Sequence, residues 1–180
     1  MATVSQLWKS IDEKRRRSAT GQYFLPSSDL RALFTKIRIE SAVAELECAE
    51  HERIGLAAKI FEQGLTTFAI LIWMKREVAI IDFRNHDALD ASLPLHEDRA
   101  VQIACDFGKA LAVEVQWQFL PYTLKHDMCD HHRIIDNNNT ILPFLRQEPL
   151  IEGGFGEISK VTVLSSQQEF FPEQVMAPYT

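Results

Sequence analysis

The sequence predicts an α+β protein in which a mostly helical amino-terminal domain is followed by a β-hairpin. Apolar residues recur at helical spacing through much of the first 111 residues. Three of the seven glycines then fall within the four positions 153–156, between two β-prone runs, as expected for a strand, a turn and a second strand. The expected domains are a helical domain at 1–136, a linker at 137–147, and the hairpin with its tail at 148–180.

The first helix is predicted from a stripe of apolar residues that begins at Val4. Thr3 and Gln6 stand where a capping box requires them. The helix runs into the basic segment Lys14–Arg17. This segment is interpreted as a solvated last turn that the helix dipole favours, and the alternative is a nuclear-import signal or a patch for anionic surfaces.

The following segments combine helical periodicity with capping or stop signals. Gly64 is expected to end one of them. Trp117, Phe68, Ile72 and Phe61 are expected in the core. The predicted helices and their inward residues are the segment after Pro26–Asp29 (Leu30, Leu33, Phe34, Ile37), Ser41–Glu47 (Val43, Leu46), Glu50–Gln63 (Ile54, Ala57, Ala58, Ile60, Phe61) and His96–Leu111 (Val101, Ile103, Ala104).

Two further segments depend on the type of apolar pattern. Phe68–Met74 is apolar throughout, and periodicity does not separate a buried helix from a buried strand there, although Ala, Leu and Met favour a helix. Val113–Phe119 alternates apolar and polar residues before Pro121, which predicts a strand.

Composition bounds the function. The 180 residues are 46% hydrophobic with a net charge of −6, which argues against a general nucleic-acid binder. The longest apolar run is too short to span a membrane. Three cysteines and the absence of a signal-peptide pattern predict a reducing compartment, namely the cytoplasm with the nucleus as the alternative.

The stretch Glu152–Val163 carries the most specific functional signal. Its run E-G-G-F-G-E-I-S-K-V fits the later part of the kinase pattern G-x-G-x-x-G-x-V. The chain therefore resembles a protein kinase at its glycine-rich loop. The resemblance implies a vestigial ATP loop whose cofactor-binding residues are Gly153, Gly154, Phe155, Gly156 and Ile158.

The same resemblance also implies limits. Ile151 occupies the place of the first glycine, where a side chain would crowd a nucleotide, so nucleotide binding is expected to be weak or absent. About two dozen residues follow Gly156, and no lysine or arginine follows Lys160, so the sequence given stops before a catalytic lysine. We expect no catalytic residues and no cofactor, with ATP and Mg²⁺ relevant only within a longer kinase.

A second, longer resemblance covers most of residues 20–147. The order of Phe68–Leu71, Leu93–Leu95, Gln116–Pro121 and Thr140–Phe144 is similar to the region that precedes the kinase domain in a large family of filamentous-fungal protein kinases. It implies ancestry and a regulatory or interaction domain but no site. A protein partner is therefore expected, with no nucleic acid and no membrane.

Other candidate motifs have structural interpretations. Asp106–Gly108 spells D-F-G, but it precedes the glycine loop instead of following it, and we interpret it as a helix-to-loop junction. Asp82, Asp87 and Asp90 are interpreted as capping and turn residues. The cluster His126–His132, with Cys48 and His51, is a candidate zinc site, and the preferred alternative is a polar linker.

Three functions remain open on the sequence. The first is a non-catalytic, truncated relative of a fungal Ser/Thr protein kinase with an interaction domain. The second is a stand-alone helical interaction module with no nucleotide-related role, whose hairpin should pack tightly on the helices. The third is a gene-model fragment of a longer, active kinase.

Overall fold

The computed structural model of the chain describes residues 3–47, 50–125, 139–153 and 156–170, with the side chains of residues 151–157 left aside. The fold is α+β, as predicted, with a helical body before two-stranded antiparallel pairing near the carboxyl-terminal end. The helices are α1 (Val4–Lys14), α2 (Ser27–Leu33), α3 (Lys36–Ala44), α4 (Glu50–Gln63), α5 (Leu65–Trp73), α6 (Ile80–Asn85), α7 (Glu97–Ile103) and α8 (Gly108–Ala110). The strands are β1 (Arg16–Arg17), β2 (Tyr23–Phe24), β3 (Phe144–Gly153) and β4 (Gly156–Val163).

Local signals set the start of α1. The Thr3 hydroxyl accepts the Gln6 N–H at 3.2 Å, and the Gln6 side chain accepts the Thr3 N–H at 3.0 Å, so the predicted capping box is present. Leu7 and Ile11 lie fully buried on the inner face. The capping box begins the helix at the predicted place, and the apolar stripe orients it on the core.

Helix α5 is the centre of the core. Residues 67–72 are all buried, which confirms the helical interpretation of this apolar run. Phe68 meets the Phe34 ring edge-on at 6.2 Å between centroids. The Asp90 carboxylate caps the helix from a distant turn, because it accepts the N–H groups of Thr66 at 2.9 Å and Thr67 at 2.8 Å. Asp90 is thus a capping residue, as predicted.

Several expected core positions are wrong. Ile37 is exposed because α2 ends at Leu33 and a new helix begins at Lys36, which resets the phase of the stripe. In α4 the buried face is narrower than the apolar pattern, so Ile54, Ala58 and Phe61 are exposed. Val101 is likewise exposed. Periodicity locates a helix, but its neighbours decide how much of the apolar stripe they cover.

The strand predicted at Val113–Phe119 is also wrong. Helix α8 continues as a π-helical segment, Leu111–Val115, and a 3₁₀ turn, Gln116–Gln118. In this helical region Leu111 and Phe119, about two turns apart, are buried, whereas Val113 is exposed. The fully buried Gln116 amide is satisfied by backbone: Leu95 donates its N–H to Oε1 at 2.8 Å, and Nε2 donates to the Leu95 carbonyl at 2.9 Å. Trp117 is half-buried.

The α4–α5 junction breaks at Gly64, the predicted stop. In the described part of the chain no single helix has the length and apolar character of a membrane span. Helices α4 and α5 have that length and apolar character only when they are taken together, and a bend of 105° separates them.

Candidate functional site: the glycine hairpin

Strands β3 and β4 form the predicted antiparallel hairpin. Gly153 pairs with Gly156, the last pair of the printed register, and residues 154 and 155 lie outside the described part of the chain. The pairing is longer than the sequence indicates, because β3 begins at Phe144, inside the segment assigned to the linker. Gly153 and Gly156 both lack a Cβ, so neither adds a side chain at this last pair of the register.

The predicted ATP-loop residues are only partly brought together by the described geometry. Gly153 and Gly156 face each other, and Ile158 lies on β4 directly opposite Ile151, the residue at the place of the first kinase glycine. The positions of Gly154 and Phe155 lie outside the described residues. Ile158 is 58% exposed, so it contacts little of the described protein.

One pair of opposite charges lies across the strands of the hairpin. Lys160 lies opposite Glu148 in the register, and both are exposed. Gln147 donates to the Ser159 hydroxyl at 3.2 Å in a diagonal contact, since Gln147 is paired with Val161 and Ser159 with Pro149. Lys160 therefore faces a carboxylate of its own hairpin, which offsets the positive charge available to a phosphate.

The base of the hairpin is tied to the helical body. The Ala19 N–H donates to the Phe144 carbonyl at 2.6 Å. On the other leg, Leu124 pairs with the segment after β4: it donates its N–H to the Gln167 carbonyl at 3.0 Å and accepts the Glu169 N–H at 2.8 Å. The buried Gln167 amide also donates to the Ser27 hydroxyl at 2.8 Å. Both ends are fixed, while the described strand residues beyond them contact mainly each other.

The D-F-G triplet has the predicted structural role. Asp106 forms an exposed ion pair with Arg76 at 3.1 Å. The Arg76 guanidinium lies 5.6 Å from the Phe107 ring centroid. Gly108 begins α8 against α7, where an added Cβ would overlap the backbone of Ala100. The triplet is thus a junction between two helices, and its glycine allows their close contact.

Most of the candidate zinc ligands, namely Cys48 and His126–His132, lie outside the described residues. His51 is exposed in the first turn of α4. Among the described residues, no group of three or more His, Cys, Asp or Glu side chains is arranged to hold a metal ion.

One arrangement was not anticipated from the sequence: a stack of cations and aromatic rings between α1 and α5. The rings of Trp8 and Trp73 stack at 5.1 Å and 5°. The Arg15 guanidinium lies between Trp73, at 4.3 Å, and Tyr23, at 4.9 Å, and Lys75 lies 5.4 Å from Trp8. The sequence signal for this stack was the spacing of Trp8 and Arg15, which are seven residues, or about two helical turns, apart along α1 and its C-cap.

Arg15 changes the interpretation of the basic run. Burial lowers the pKa of its guanidinium, and the charges of Asp12 and Tyr23 oppose this effect. Arg15 also donates to the Gln118 side chain at 2.6 Å. Lys14, Arg16 and Arg17 stay exposed. An external anionic surface would therefore contact these three residues but not Arg15, whose guanidinium makes internal contacts.

A cavity of about 560 Å³ opens beside this stack. Its lining mixes two lysines, two glutamates, a serine and three apolar residues: Val4, Ser5, Trp8, Lys9, Glu45, Ile72, Lys75 and Glu77. Glu45 already accepts the Val4 N–H at 3.0 Å. The balanced charge of the lining selects no class of ligand.

Comparisons of the chain with protein-family models, with curated proteins and with solved structures found no match. The kinase resemblance therefore depends on the residues of the glycine loop and of the preceding segments alone.

Proposed function

We propose that this chain is a non-catalytic, truncated relative of a fungal Ser/Thr protein kinase. Its helical body serves as an interaction domain and presents the glycine hairpin to a protein partner. The hairpin binds nucleotide weakly or not at all. The observation that supports this function is the exposure of the hairpin beyond its anchored base.

The exposure is substantial on both strands. Leu150 of β3 is 60% exposed and Ile158 of β4 is 58% exposed. In the described part of the chain the sheet has only these two strands. Such an isolated pair is marginally stable in water, and its open edges are places where a strand of another protein can add.

The two edges differ in what they offer. Strand β3 contains Pro149, which has no N–H to donate, and its register shifts between Phe144 and Arg146 and between Pro149 and Ile151. Strand β4 lacks proline along its whole length. A partner strand is therefore expected beside β4, because an uninterrupted row of backbone groups can form a longer ladder.

The nucleotide part of the proposal is tested by isothermal titration of the full chain with Mg-ATP. We expect no saturable heat, because a glycine loop without a phosphate-binding lysine, magnesium ligands and a closed adenine pocket leaves ATP exposed to water. Micromolar binding that disappears when Gly153 and Gly156 are both replaced by valine would contradict the proposal. The same variant provides the control for heats of dilution.

The anchored base of the hairpin favours a second candidate, a stand-alone helical interaction module whose hairpin completes its own fold. Amide exchange of residues 150–163 separates the two. Fast exchange in a proven monomer supports a hairpin that awaits a partner strand, and slow exchange supports a hairpin docked on the body. The third candidate, a fragment of a longer active kinase, is tested by sequencing the transcript beyond the codon for Val163 for a lysine-bearing strand.

A further inference from the structure

Helix α4 carries an exposed apolar stripe beside its buried face. Ile54 is 81% exposed, Phe61 is 43% exposed, and Ala58 between them is also exposed. These positions follow the i, i+4, i+7 spacing of one helix face. The buried face of the same helix is formed by a different set, Leu56, Ala57 and Ile60.

The middle of this outer stripe is narrow. Ala58 projects only a methyl group there, between Ile54 and Phe61. Two large apolar side chains at the ends and a small one in the middle form a shape that fits a second, antiparallel copy of itself, with Ile54 against Phe61 of the other copy.

Two polar residues beside the stripe are also self-complementary. His51 and Glu62 are both exposed and lie about three turns apart on the same flank of α4. In an antiparallel pair related by a two-fold axis, His51 of each copy comes opposite Glu62 of the other. An imidazole N–H can donate to a carboxylate in either protonation state, so both symmetric contacts are favourable.

We propose that α4 is a self-association surface, on which the outer face of α4 pairs antiparallel with the same face of a second copy of this chain. The proposal is independent of the hairpin and of any kinase ancestry. The contact length is about 20 Å for a helix of this size, so the interface falls at the weak end of specific interfaces and the dimer dissociates readily on dilution.

Sedimentation equilibrium of the full chain over a wide concentration range tests the pairing. We expect a monomer–dimer equilibrium that Phe61→Glu weakens at least about tenfold, because a charge would be buried opposite Ile54. Val113→Glu is the matched control, since Val113 is also 43% exposed and lies outside α4. It should leave the equilibrium unchanged. Ile54→Glu repeats the test at a still more exposed position should Phe61→Glu fail to fold.

A charge exchange identifies the partner as α4 itself. His51→Glu places two like charges together in each symmetric contact and should weaken the dimer several-fold. Adding Glu62→Lys should restore most of the lost affinity, because each introduced carboxylate would then face the introduced ammonium group of the other copy. The proposal is overturned if the chain is monomeric at every concentration. It is also overturned if Val113→Glu weakens the dimer as much as Phe61→Glu does. A double variant whose dimer is no tighter than that of His51→Glu would have the same consequence.

Discussion

The helical body and the hairpin satisfy their apolar side chains in opposite ways. In the body, α5 is surrounded by other helices and its residues 67–72 are all buried. In the hairpin, Leu150 and Ile158 remain mostly exposed although their strands are long and well paired. The body is therefore stabilised by burial, whereas the hairpin depends on its own ladder and on the contacts at its base.

The same contrast appears in the use of glycine. Gly108 is required by packing, because α7 leaves no room for a side chain. Gly153 and Gly156 instead face each other across the two strands, at the last pair of the printed register. Gly108 thus reports a close contact between two helices, whereas the glycines of the hairpin lie where its strands end.

The largest expected difference between the regions comes from truncating one apolar side chain in each. Phe68→Ala should lower the free energy of unfolding by about 3–5 kcal/mol, since it removes a fully buried ring and leaves a cavity. Ile158→Ala should change it by about 0.5 kcal/mol or less, because the side chain is largely solvated. Urea denaturation followed by circular dichroism measures both. Similar losses in the two variants would show that the hairpin is part of the core.

A smaller effect is expected from two glycines inside the body. Gly108→Ala should destabilise the chain by about 1–3 kcal/mol, because the new methyl group overlaps the α7 backbone. Gly55→Ala is the matched control and should stabilise by about 1 kcal/mol, since the site is helical and open. Thermal unfolding at dilute concentration gives both values. A neutral Gly108→Ala would contradict the close contact of α7 and α8.

The smallest effect is expected within the hairpin. Lys160→Glu places a second carboxylate opposite Glu148 and should weaken the local pairing by about 0.2–1 kcal/mol. Amide exchange in β3 and β4 should accelerate while the unfolding midpoint of the body stays constant. Glu148→Lys in the same background should restore the original exchange rates, and a shift of the body's midpoint would mean that the two regions unfold together.

Much of the fold follows from short-range signals in the sequence. The Thr3–Gln6 capping box begins α1, Gly64 ends α4, and the glycine cluster joins β3 to β4. Each of these features involves residues within a few positions of one another. The backbone there is restricted by the same steric and hydrogen-bonding rules in any surroundings, so the sequence suffices.

The candidate site was predictable only in part, because local signals specify the hairpin but not the elements around it. The hairpin and the facing positions of Gly153 and Gly156 follow from local turn chemistry. The stack around Arg15 does not, because it joins residues of α1, β2 and the end of α5 that are distant in the chain. The exposure of Ile158 likewise depends on which elements approach the hairpin.

The sequence by itself determined that most of the helices and the hairpin form, whereas only the tertiary structure decided which faces are covered. Val113–Phe119 is compatible with a strand or a helix by pattern, and the contacts of the buried Gln116 with Leu95 accompany the helical outcome. Helix α4 has apolar residues around more than half of its surface, and its packing selects Leu56 and Ile60 over Ile54 and Phe61. Burial is a property of two surfaces meeting, so one segment's pattern cannot specify it.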